Sequence, residues 1–579
     1  MVLSRLAPGL ALLILALPQS AAAAPTWLPP KNLSVSGNGG DLTVAVDAGG
    51  DAFAAWTRSG TVQAAERPAG ETWSAAHALS DNCLGAHSVR LAVNAAGRAV
   101  VVWECSKGGN TSVQASTRAA GRSWSGPHDL SAPGQDAHVP QVALDRAGDA
   151  LAVWARSNGT DVIVQAALQR PSGAWLSAED VSGPGLDVDR PDVGLDAHGN
   201  GVAVWQSSDG YNSVIRAATR TAAGSWNTPQ ALSPGGYSER PQVRVDSAGD
   251  AVAVWSLNAT GRRVQAAVRR AGAGWAPAET LSGAGADALE PQVALNPSGN
   301  AVAAWLSFDG RTYVVQSTTR TRHVPWSAVQ NISPRSPDLG SPRLALDAAG
   351  DAVAVWRGLS SSRERIQAVR HPTRGAWSAP RLISPAGADA DLPDIALDAA
   401  GNGAAIWQSG NGGTWTVQAA GLDAAGPVLT RLRISGRRIP RSRLTFSVSP
   451  FDVWSALRGR PRWAFGDGTA ATGRRVTHAY ARAGSYTVRL SQADSVGNKT
   501  TVTRRVVVAE PCVVPAVVGE TLAAAKAAIR RSHCRTGRVT RTRSTTVRKG
   551  RVVAQRPAPG RRLANGARVN LVVSRGRRH

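Results

Sequence analysis

The sequence contains few of the residues on which metal and catalytic sites depend. Its 579 residues include four Cys, five Tyr and ten scattered His. No C-x-x-C or H-x-x-x-H spacing accompanies the cysteines, which disfavours a zinc site. No H-E-x-x-H or G-x-S-x-G motif occurs, so common catalytic signatures are missing as well. We therefore predict a protein that is not an enzyme and that needs no metal and no cofactor.

Long apolar runs are missing after residue 24. Residues 1–24 carry Arg5, an apolar run over residues 10–17 and small residues ending at Ala24, which is the pattern of a cleavable signal peptide. No later stretch approaches the ~20 apolar residues that cross a bilayer, and no cysteine directly follows the signal to accept a lipid. We expect a secreted, extracellular protein, associated with the cell wall and without a transmembrane segment.

Acidic residues are scarce in the C-terminal part of the chain. From residue 426 onward there are 33 Lys or Arg and 5 Asp or Glu, whereas the first 425 residues hold 32 basic and 35 acidic residues. Such a basic tail attracts anionic surfaces. In an exported protein we favour an anionic cell-wall polymer and predict no nucleic-acid partner. Arginine that serves solubility alone is the alternative.

The four cysteines form two pairs that are close in the sequence, Cys83 with Cys105 and Cys512 with Cys534. Such pairs are typical of chains that fold in an oxidising compartment. We predict that both pairs form disulfides. Four free thiols are the alternative, above all for the first pair, because loop geometry alone must bring its two cysteines together.

One sequence unit recurs eight times, with the frame P-Q-V-A-L-D-x-x-G-D-A-V-A-V-W, then V-Q-A-A-x-R, then G-x-W-x-x-P-x-x-L-S. The first Trp of each copy recurs every 47 to 51 residues, at Trp56, Trp103, Trp154, Trp205, Trp255, Trp305, Trp356 and Trp407. This period lies in the range of propeller blades. Each unit predicts four short strands, which is the composition of one blade.

Details of the unit fit a blade. Asp246 to Asp250 and their counterparts place Asp and Gly between two apolar strands, as a tight hairpin requires, so this recurring Asp is predicted to be structural. Six copies begin with Pro, which needs a strand with a free edge, such as the innermost strand of a blade. A second Trp of each unit forms a further series, which is interpreted either as packing between blades or as platforms for sugar stacking.

The two ends of the repeat region complement each other. The last copy has no G-x-W-x-x-P-x-x-L-S segment after Gly421, and residues 27–34 match the missing piece. The first strand can therefore complete the last blade and close the ring. Residues 25–425 thus resemble an eight-bladed β-propeller of the sialidase- and lectin-like kind. The G-x-W segment resembles the aspartate-box turn of sialidase-like propellers, but no copy holds the complete S-x-D-x-G-x-x-W box.

The loops that differ between copies are the candidate ligand-binding loops. They join the second strand to the third, or one blade to the next, and such loops share one face of a propeller. Their polar and aromatic side chains could hydrogen-bond to and stack on a glycan or a protein ligand; ordinary solvated loops are the alternative. The candidates are Asp187, Asp189, Arg190, Asp209, Tyr211, Glu239, Arg240, Asp309, Arg311, Tyr313, Arg363, Glu364 and Arg365.

Residues 426–510 contain W-A-F-G-D-G-T from Trp463, H-A-Y from His478 and G-S-Y-T-V from Gly484. These motifs resemble the signature of a PKD domain, and the resemblance implies an immunoglobulin-like β-sandwich that serves as a spacer or interaction module. From the residues alone, the G-D-G stretch predicts a turn, and Tyr480, Tyr486 and Val488 supply core positions.

Residues 511–579 comprise a stretch similar to a PASTA domain, followed by a basic tail. The similarity lies in the V-P-A-V-V-G stretch from Val514, an Ala-rich helix over residues 522–531, V-V-A-Q and P-A-P-G around residues 552–560, and V-V-S at the end. Thr521 can cap the helix. The resemblance implies association with peptidoglycan, or a purely structural spacer.

The chain is therefore predicted to be mainly β: an eight-bladed propeller closed by its N-terminal strand, then a PKD-like β-sandwich, then a small α+β PASTA domain. We interpret it as a cell-surface binding protein, in which the propeller binds an unknown ligand and the basic tail associates with the wall. A glycan-acting enzyme and a purely structural spacer are the two alternatives. A sialidase-like catalytic set, an arginine triad with a Tyr and Glu pair, cannot be identified in a chain with only five tyrosines.

Overall fold

The structure is a computed structural model that describes residues 24–37, 39–171, 173–259, 261–411 and 413–577. The predicted signal peptide, apart from Ala24, lies outside the described residues. The described chain divides into two compact units. One unit holds residues 25–433 and 447–457, and the other holds residues 434–446 and the chain from residue 458 onward.

The repeat region folds into eight antiparallel blades over the described residues. Each blade runs from an inner strand, through a second and a third strand, to a short outer strand. The inner strands are Gly39–Val46, Gly85–Val93, Ala137–Leu144, Asp187–Leu195, Tyr237–Val245, Asp287–Leu295, Arg343–Leu346 and Asp389–Leu397. The second strands are Ala52–Arg58, Ala99–Lys107, Ala150–Ser157, Gly201–Ser208, Ala251–Asn258, Ala301–Phe308, Ala352–Ser360 and Gly403–Asn411.

The two remaining strands complete each blade. The third strands are Thr61–Arg67, Asn110–Arg118, Val162–Gln169, Ser213–Arg220, Arg262–Arg269, Tyr313–Arg320, Arg363–His371 and Thr414–Asp423. The outer strands of blades 1 to 7 are His77–Ala78, His128–Asp129, Glu179–Asp180, Gln230–Ala231, Glu279–Thr280, Gln330–Asn331 and Arg381–Leu382. Every inner strand ends its own blade sheet, apart from one parallel bridge between Ser213 and Tyr237. Five of the six prolines lie on these edge strands as predicted, and Pro342 directly precedes the strand of blade 7.

The N-terminal segment closes the ring. Thr26–Trp27 and Lys31–Asn32 pair with the third strand of blade 8, with Trp27 opposite Leu422 and Lys31 opposite Ala419. Leu33 is buried in a cluster that also contains side chains of blades 1 and 8. The eight-bladed propeller with N-terminal strand closure is thereby confirmed. Closure pairs the edge of blade 8 that would otherwise stay open.

The recurring Trp of the second strand is the centre of each blade's core. All eight of these indoles have no exposed surface. In five blades the indole Nε1 donates to the Gln side chain of the neighbouring third strand, as Trp255 does to Gln265 at 3.2 Å. The small and branched residues around each Trp let adjacent blades pack closely.

The turn between the inner and second strands is built by its Asp. The Asp246 Oδ1 accepts the backbone N–H groups of Ala248 and Asp250 at 2.9 Å. Gly249 lies at a φ of 92°, where a side chain would be strained. The predicted structural role of this Asp is confirmed.

Residues 447–457 belong to the same unit as the propeller. There the Arg67 guanidinium lies 3.7 Å from the centre of the Trp454 ring. The Arg67 Nη2 also donates to the Val453 carbonyl at 2.7 Å. This segment thus extends the core of the unit beyond the repeats.

The PKD-like region forms a three-stranded and a four-stranded sheet. Phe446, Trp463, Phe465 and Tyr480 are buried, and the Tyr480 hydroxyl donates to the Phe465 carbonyl at 3.0 Å. The strands are Val428–Ser435, Leu444–Phe451, Leu457–Ala464, Ala470–Thr472, Arg475–His478, Gly484–Asp494 and Lys499–Val508.

The C-terminal domain packs one helix, Leu522–Arg531, against short strands. The Thr521 side chain caps the helix by accepting the Ala524 N–H at 3.3 Å. Ala525 and Ile529 are buried, as the predicted helix requires. The strands are Cys512–Val513, Arg535–Thr542, Val552–Arg556, Arg562–Leu563 and Arg568–Ser574.

Both predicted disulfides, Cys83–Cys105 and Cys512–Cys534, are present. Each joins residues separated by 22 positions. Among the described residues, the structure holds no helix with the length and hydrophobicity that crossing a bilayer requires.

Candidate functional site

Residues from all eight inner strands line one cavity of about 560 Å³ in the propeller. Its walls include Thr43 of blade 1, Arg90 of blade 2, Arg343 of blade 7 and Asp394 of blade 8, so the cavity lies where the inner strands converge. Its volume is in the range that accommodates small ligands. The cavity is therefore the main candidate binding site of this unit.

The inner strands carry a repeated β-bulge beside this cavity. In six blades the residue at the bulge has a positive φ, at Ser88, Val139, Arg190, Arg240, Glu290 and Leu392, with values from 48° to 57°. A bulge places two residues opposite one and bends the strand. Positive φ costs about 1 to 3 kcal/mol at a non-glycine residue, and such strain is often found at functional sites. Arg190, Arg240 and Glu290 are brought to the cavity wall in this way.

Most of the charged groups of the cavity are held in ion pairs. Arg240 contacts Glu290 at 2.6 Å, and Arg244 contacts Asp192 at 2.9 Å. Arg190 lies 3.4 Å from Asp189, its neighbour in the chain. These pairs join side chains of consecutive blades or consecutive residues, so the ring geometry fixes the position of each charge.

Two aspartates of the wall also connect one blade to the next. The Asp192 Oδ2 accepts the Val243 N–H at 2.9 Å, and the Asp394 Oδ2 accepts the Val44 N–H at 2.9 Å. Burial raises the pKa of Asp394, although the Arg343 charge and the Val44 N–H act in the opposite direction. The two carboxylates hold the inner strands in register around the cavity.

A buried glutamate lies near the bulges of blades 2 and 3. Glu104 Oε2 is 2.9 Å from His87 Nε2 and 3.1 Å from His138 Nδ1, and its Oε1 accepts the Val139 N–H at 2.8 Å. Burial raises the pKa of Glu104, but hydrogen bonds from Ser88, Val139 and His138 outweigh burial and lower it overall. Glu104 therefore serves as an ionised acceptor for two strands.

The structure brings two of the predicted ligand-binding residues, Arg190 and Arg240, to the cavity wall. Asp189 pairs with Arg190, and Glu239 is half-buried at the neighbouring bulge. Asp189, Arg190, Glu239 and Arg240 therefore lie at or beside the cavity wall, and their role in ligand binding stays a prediction.

Three predicted aspartates accept backbone N–H groups. Asp187, at the start of the inner strand of blade 4, accepts the Val162 N–H of blade 3 with its Oδ1 at 3.0 Å. Asp209 accepts the N–H groups of Tyr211 and Asn212, and Asp309 accepts those of Arg311 and Thr312, each within 3.0 Å. Loop ordering occupies the carboxylates of Asp209 and Asp309, because an Asp side chain readily caps a nearby turn.

The remaining candidates lie on the hairpins between second and third strands or on the third strands themselves. Tyr211 is 92% exposed, whereas the Tyr313 ring stacks on Phe308 at 4.5 Å. Arg363 donates to Asn411 at 3.2 Å, Arg365 donates to Ser384 at 3.0 Å, and Glu364 pairs with Arg357. These residues do not line the central cavity in the described structure.

Several wall residues of the inner strands were not among the predicted ligand contacts. The frame places Gln after the conserved Pro, and Gln141, Gln242 and Gln292 keep it. Other blades carry charge at this position, at Arg90, Asp192, Arg343 and Asp394. This variation within the repeat is a usable sequence signal, because a strand position that changes from Gln to a charged residue indicates a role other than packing.

The second Trp series is half-buried on the outer side of the blades. The Trp124 indole Nε1 donates to Glu66 Oε1 at 2.6 Å, in a groove that Glu66 and Trp124 line between blades 1 and 2. Arg118 also contacts Glu66 at 2.8 Å. Because Trp124 bonds to Glu66 of the neighbouring blade, packing between blades is the favoured role of this Trp over sugar stacking.

The C-terminal domain presents a strongly basic surface. Its arginines are exposed over the described residues, and no ion pair occurs within residues 511–577. Glu520 is the one acidic residue in residues 511–579. These uncompensated charges make the surface suited to an anionic partner.

Family models match two segments of the chain. Residues 439–508 match the PKD domain, and residues 513–575 match the PASTA domain. The class of the protein follows as a β-propeller with C-terminal PKD and PASTA domains. These domains and the disulfides fit an extracellular, cell-surface protein.

Solved structures with propeller folds are similar to this chain at low identity. The BP39L lectin from Burkholderia pseudomallei is 12% identical with a TM-score of 0.45, over 61% of this chain and 100% of the lectin. The Hadza microbial sialidase Hz136 is 12% identical with a TM-score of 0.33, over 63% of this chain and 73% of the sialidase.

A PKD domain is similar over a shorter segment. The PKD1 domain of Vibrio anguillarum Epp is 27% identical with a TM-score of 0.13, over 15% of this chain and 99% of that domain. No curated protein matches the chain.

Proposed function

We propose that the protein is a wall-associated binding protein whose propeller holds a ligand in the central cavity. The observation that carries this proposal is the cavity itself, because all eight inner strands contribute to it and ion pairs fix most of its charges. A site on rigid strands positions its polar groups more accurately than a site on loops. Binding requires only such positioning and no reactive group.

The PASTA domain supports the second part of the proposal. PASTA domains are associated with peptidoglycan, and the exposed arginines of residues 511–577 complement the negative charge of wall polymers. The basic domain would concentrate the protein at the wall, and the propeller would then bind its own ligand there.

A glycan array and an assay for released sugars, both with the full chain, test the propeller. Binding to a glycan without turnover is expected. Turnover would replace the proposal with a glycan-acting enzyme, and no binding on the array together with no turnover would favour a spacer.

Co-sedimentation of the full chain with purified peptidoglycan tests the PASTA domain. Replacing Arg541, Arg543 and Arg548 together with Gln should reduce the bound fraction. The matched control replaces Arg460, Arg462 and Arg489 of the PKD domain with Gln, which removes the same charge elsewhere. An equal loss in both variants would contradict a specific role of the PASTA surface.

A further inference from the structure

Two of the five arginines that line the central cavity have no ion-pair partner. Arg190, Arg240 and Arg244 each lie within 4.0 Å of a carboxylate, as described above. Among the described residues, no carboxylate lies within this distance of Arg90 or Arg343. Arg90 donates to the Val89 carbonyl at 2.8 Å, and Arg343 donates to the Gln292 side chain at 3.3 Å. A guanidinium has five N–H donors, so most of the donors of both arginines remain available to the cavity.

The two free arginines also repel each other. Burial lowers the pKa of Arg90, and the charge of Arg343 lowers it further, while Asp41, Asp394 and Asp192 act in the opposite direction. Two like charges that face one partly enclosed space are unfavourable unless an anion is close. The wall carries five arginines but only three carboxylates, Asp192, Glu290 and Asp394, so it has an excess of positive charge that an anionic ligand would compensate.

Among the mostly apolar uncharged residues of the wall, three glutamines stand beside the charged groups. Gln141, Gln242 and Gln292 carry amide groups that can hydrogen-bond with hydroxyl groups. The cavity, at about 560 Å³, is also far larger than a bare anion. Amides and guanidinium groups together suit a hydroxylated molecule with one acidic group.

We propose that the central cavity binds an acidic glycan unit, whose carboxylate or phosphate is held by Arg90 and Arg343. Guanidinium groups form strong, charge-assisted hydrogen bonds with both kinds of anion. The bound anion would relieve the repulsion between the two arginines, and the glutamine amides would contact the sugar hydroxyls. This inference rests on the proposed function and names the chemical class of its ligand.

Isothermal titration calorimetry with the full chain tests the inference with three probes. Trigalacturonate offers carboxylates, its full methyl ester offers the same sugar without charge, and a glycerol phosphate oligomer offers phosphates. One of the two acidic probes should bind at least about tenfold more tightly than the neutral ester, a difference of about 1.4 kcal/mol. The acidic probe that binds identifies the acidic group.

Variants then test the two arginines. Arg343→Gln and Arg90→Gln should each weaken binding of the acidic probe by about tenfold or more. Arg343 is exposed and its side chain donates to Gln292 alone among the described residues, so its variant should fold, and thermal unfolding checks this. The matched control is Arg374→Gln, on an exposed loop outside the cavity, and its binding should stay within about twofold of the parent.

The outcomes separate this inference from the proposed function. Equal binding of the acid and the ester, or an unchanged affinity in Arg343→Gln, would overturn the inference while the propeller remained a binding protein. If none of the three probes binds, the inference is likewise overturned. The glycan array then decides separately whether the proposed function fails as well.

Discussion

The propeller buries its core between repeated sheets, whereas the PASTA domain buries a small core beneath one helix and one disulfide. Each blade repeats the same buried Trp, and the first and last blades share a cluster around Leu33. The PASTA core includes both cysteines, with Val517, Ala525 and Ile529. Small domains bury little apolar surface, so a cross-link contributes a large share of their stability. The two regions therefore depend on different interactions for stability. They also differ in net charge, since the repeat region is nearly neutral and the C-terminal region is strongly basic.

The largest effect is expected in the propeller core. Trp255→Ala removes a fully buried indole and should lower the free energy of unfolding of the propeller by about 3 to 5 kcal/mol. Trp275→Ala is the control. Trp275 belongs to the second series and is only half-buried, so its replacement should lower the free energy of unfolding by less. Urea unfolding followed by tryptophan fluorescence measures both. Equal losses would show that the first Trp series is no more important to the core than the second.

The two disulfides form a matched pair. Both close loops with a sequence separation of 22, so chain entropy assigns each about 3 kcal/mol. Replacing Cys512 and Cys534 with Ala should lower the unfolding temperature of the PASTA domain by more than about 10 °C. Replacing Cys83 and Cys105 with Ala should lower that of the larger propeller by a few degrees only. Differential scanning calorimetry measures both, and the reverse order would contradict the difference in size of the two cores.

A turn of blade 5 gives a smaller, pH-dependent effect. Burial alone would raise the pKa of Asp250, but hydrogen bonds from the Ala271 N–H, Arg322 and His323 outweigh it and lower the pKa from 3.8 to about 2. A lowered folded-state pKa means that this stabilisation is complete above pH 3.8 and is lost as the pH falls toward 2. Asp250→Asn should therefore cost about 1 kcal/mol at pH 7 and less at pH 3.

Blades 4, 6 and 8 provide the control for this prediction, because they carry Asn200, Asn300 and Asn402 at the equivalent position. Asn300→Ala should change stability by an amount that does not depend on pH between 3 and 7. Urea unfolding at both pH values measures the two variants. A loss in Asp250→Asn that stays constant with pH would refute the assigned role of the ionised carboxylate.

The smallest effect is expected from a single charge of the PASTA surface. Arg541→Gln should change peptidoglycan binding by less than about twofold, since one exposed charge contributes little. Raising salt from about 0.15 M to about 1 M should abolish this binding, because the Debye length falls from about 8 to about 3 Å. Ligand binding in the propeller cavity should decline less, since partly enclosed charges are screened less. Equal salt sensitivity would contradict the distinction between the two sites.

Much of the fold was accessible from the sequence because its signals are local or periodic. The Trp period, the Asp and Gly of the first turn, and the Thr521 cap of the helix each depend on residues close in the chain. Ring closure was predictable as well, because residues 27–34 repeat the segment that blade 8 lacks. The candidate site was less accessible. Arg190 and Arg240 were predicted on loops but lie within inner strands, and the bulges that bring them to the cavity have no simple signature, since Ser88, Val139 and Leu392 adopt the same positive φ.

The sequence by itself determined the number of blades, the strand that closes the ring and the basic character of the C-terminal region, while the two disulfides it suggested needed the geometry that the fold supplies. Periodicity, matching segments and composition are properties of the linear sequence, so they can be recognised before the fold is known. The tertiary structure alone decided which arginines are free. Ring closure brings Arg90 of blade 2 and Arg343 of blade 7 to one cavity, where neither forms an ion pair with a described carboxylate, while Arg240 and Arg244 do. Ion pairing depends on short distances, and a linear pattern of residues does not contain them.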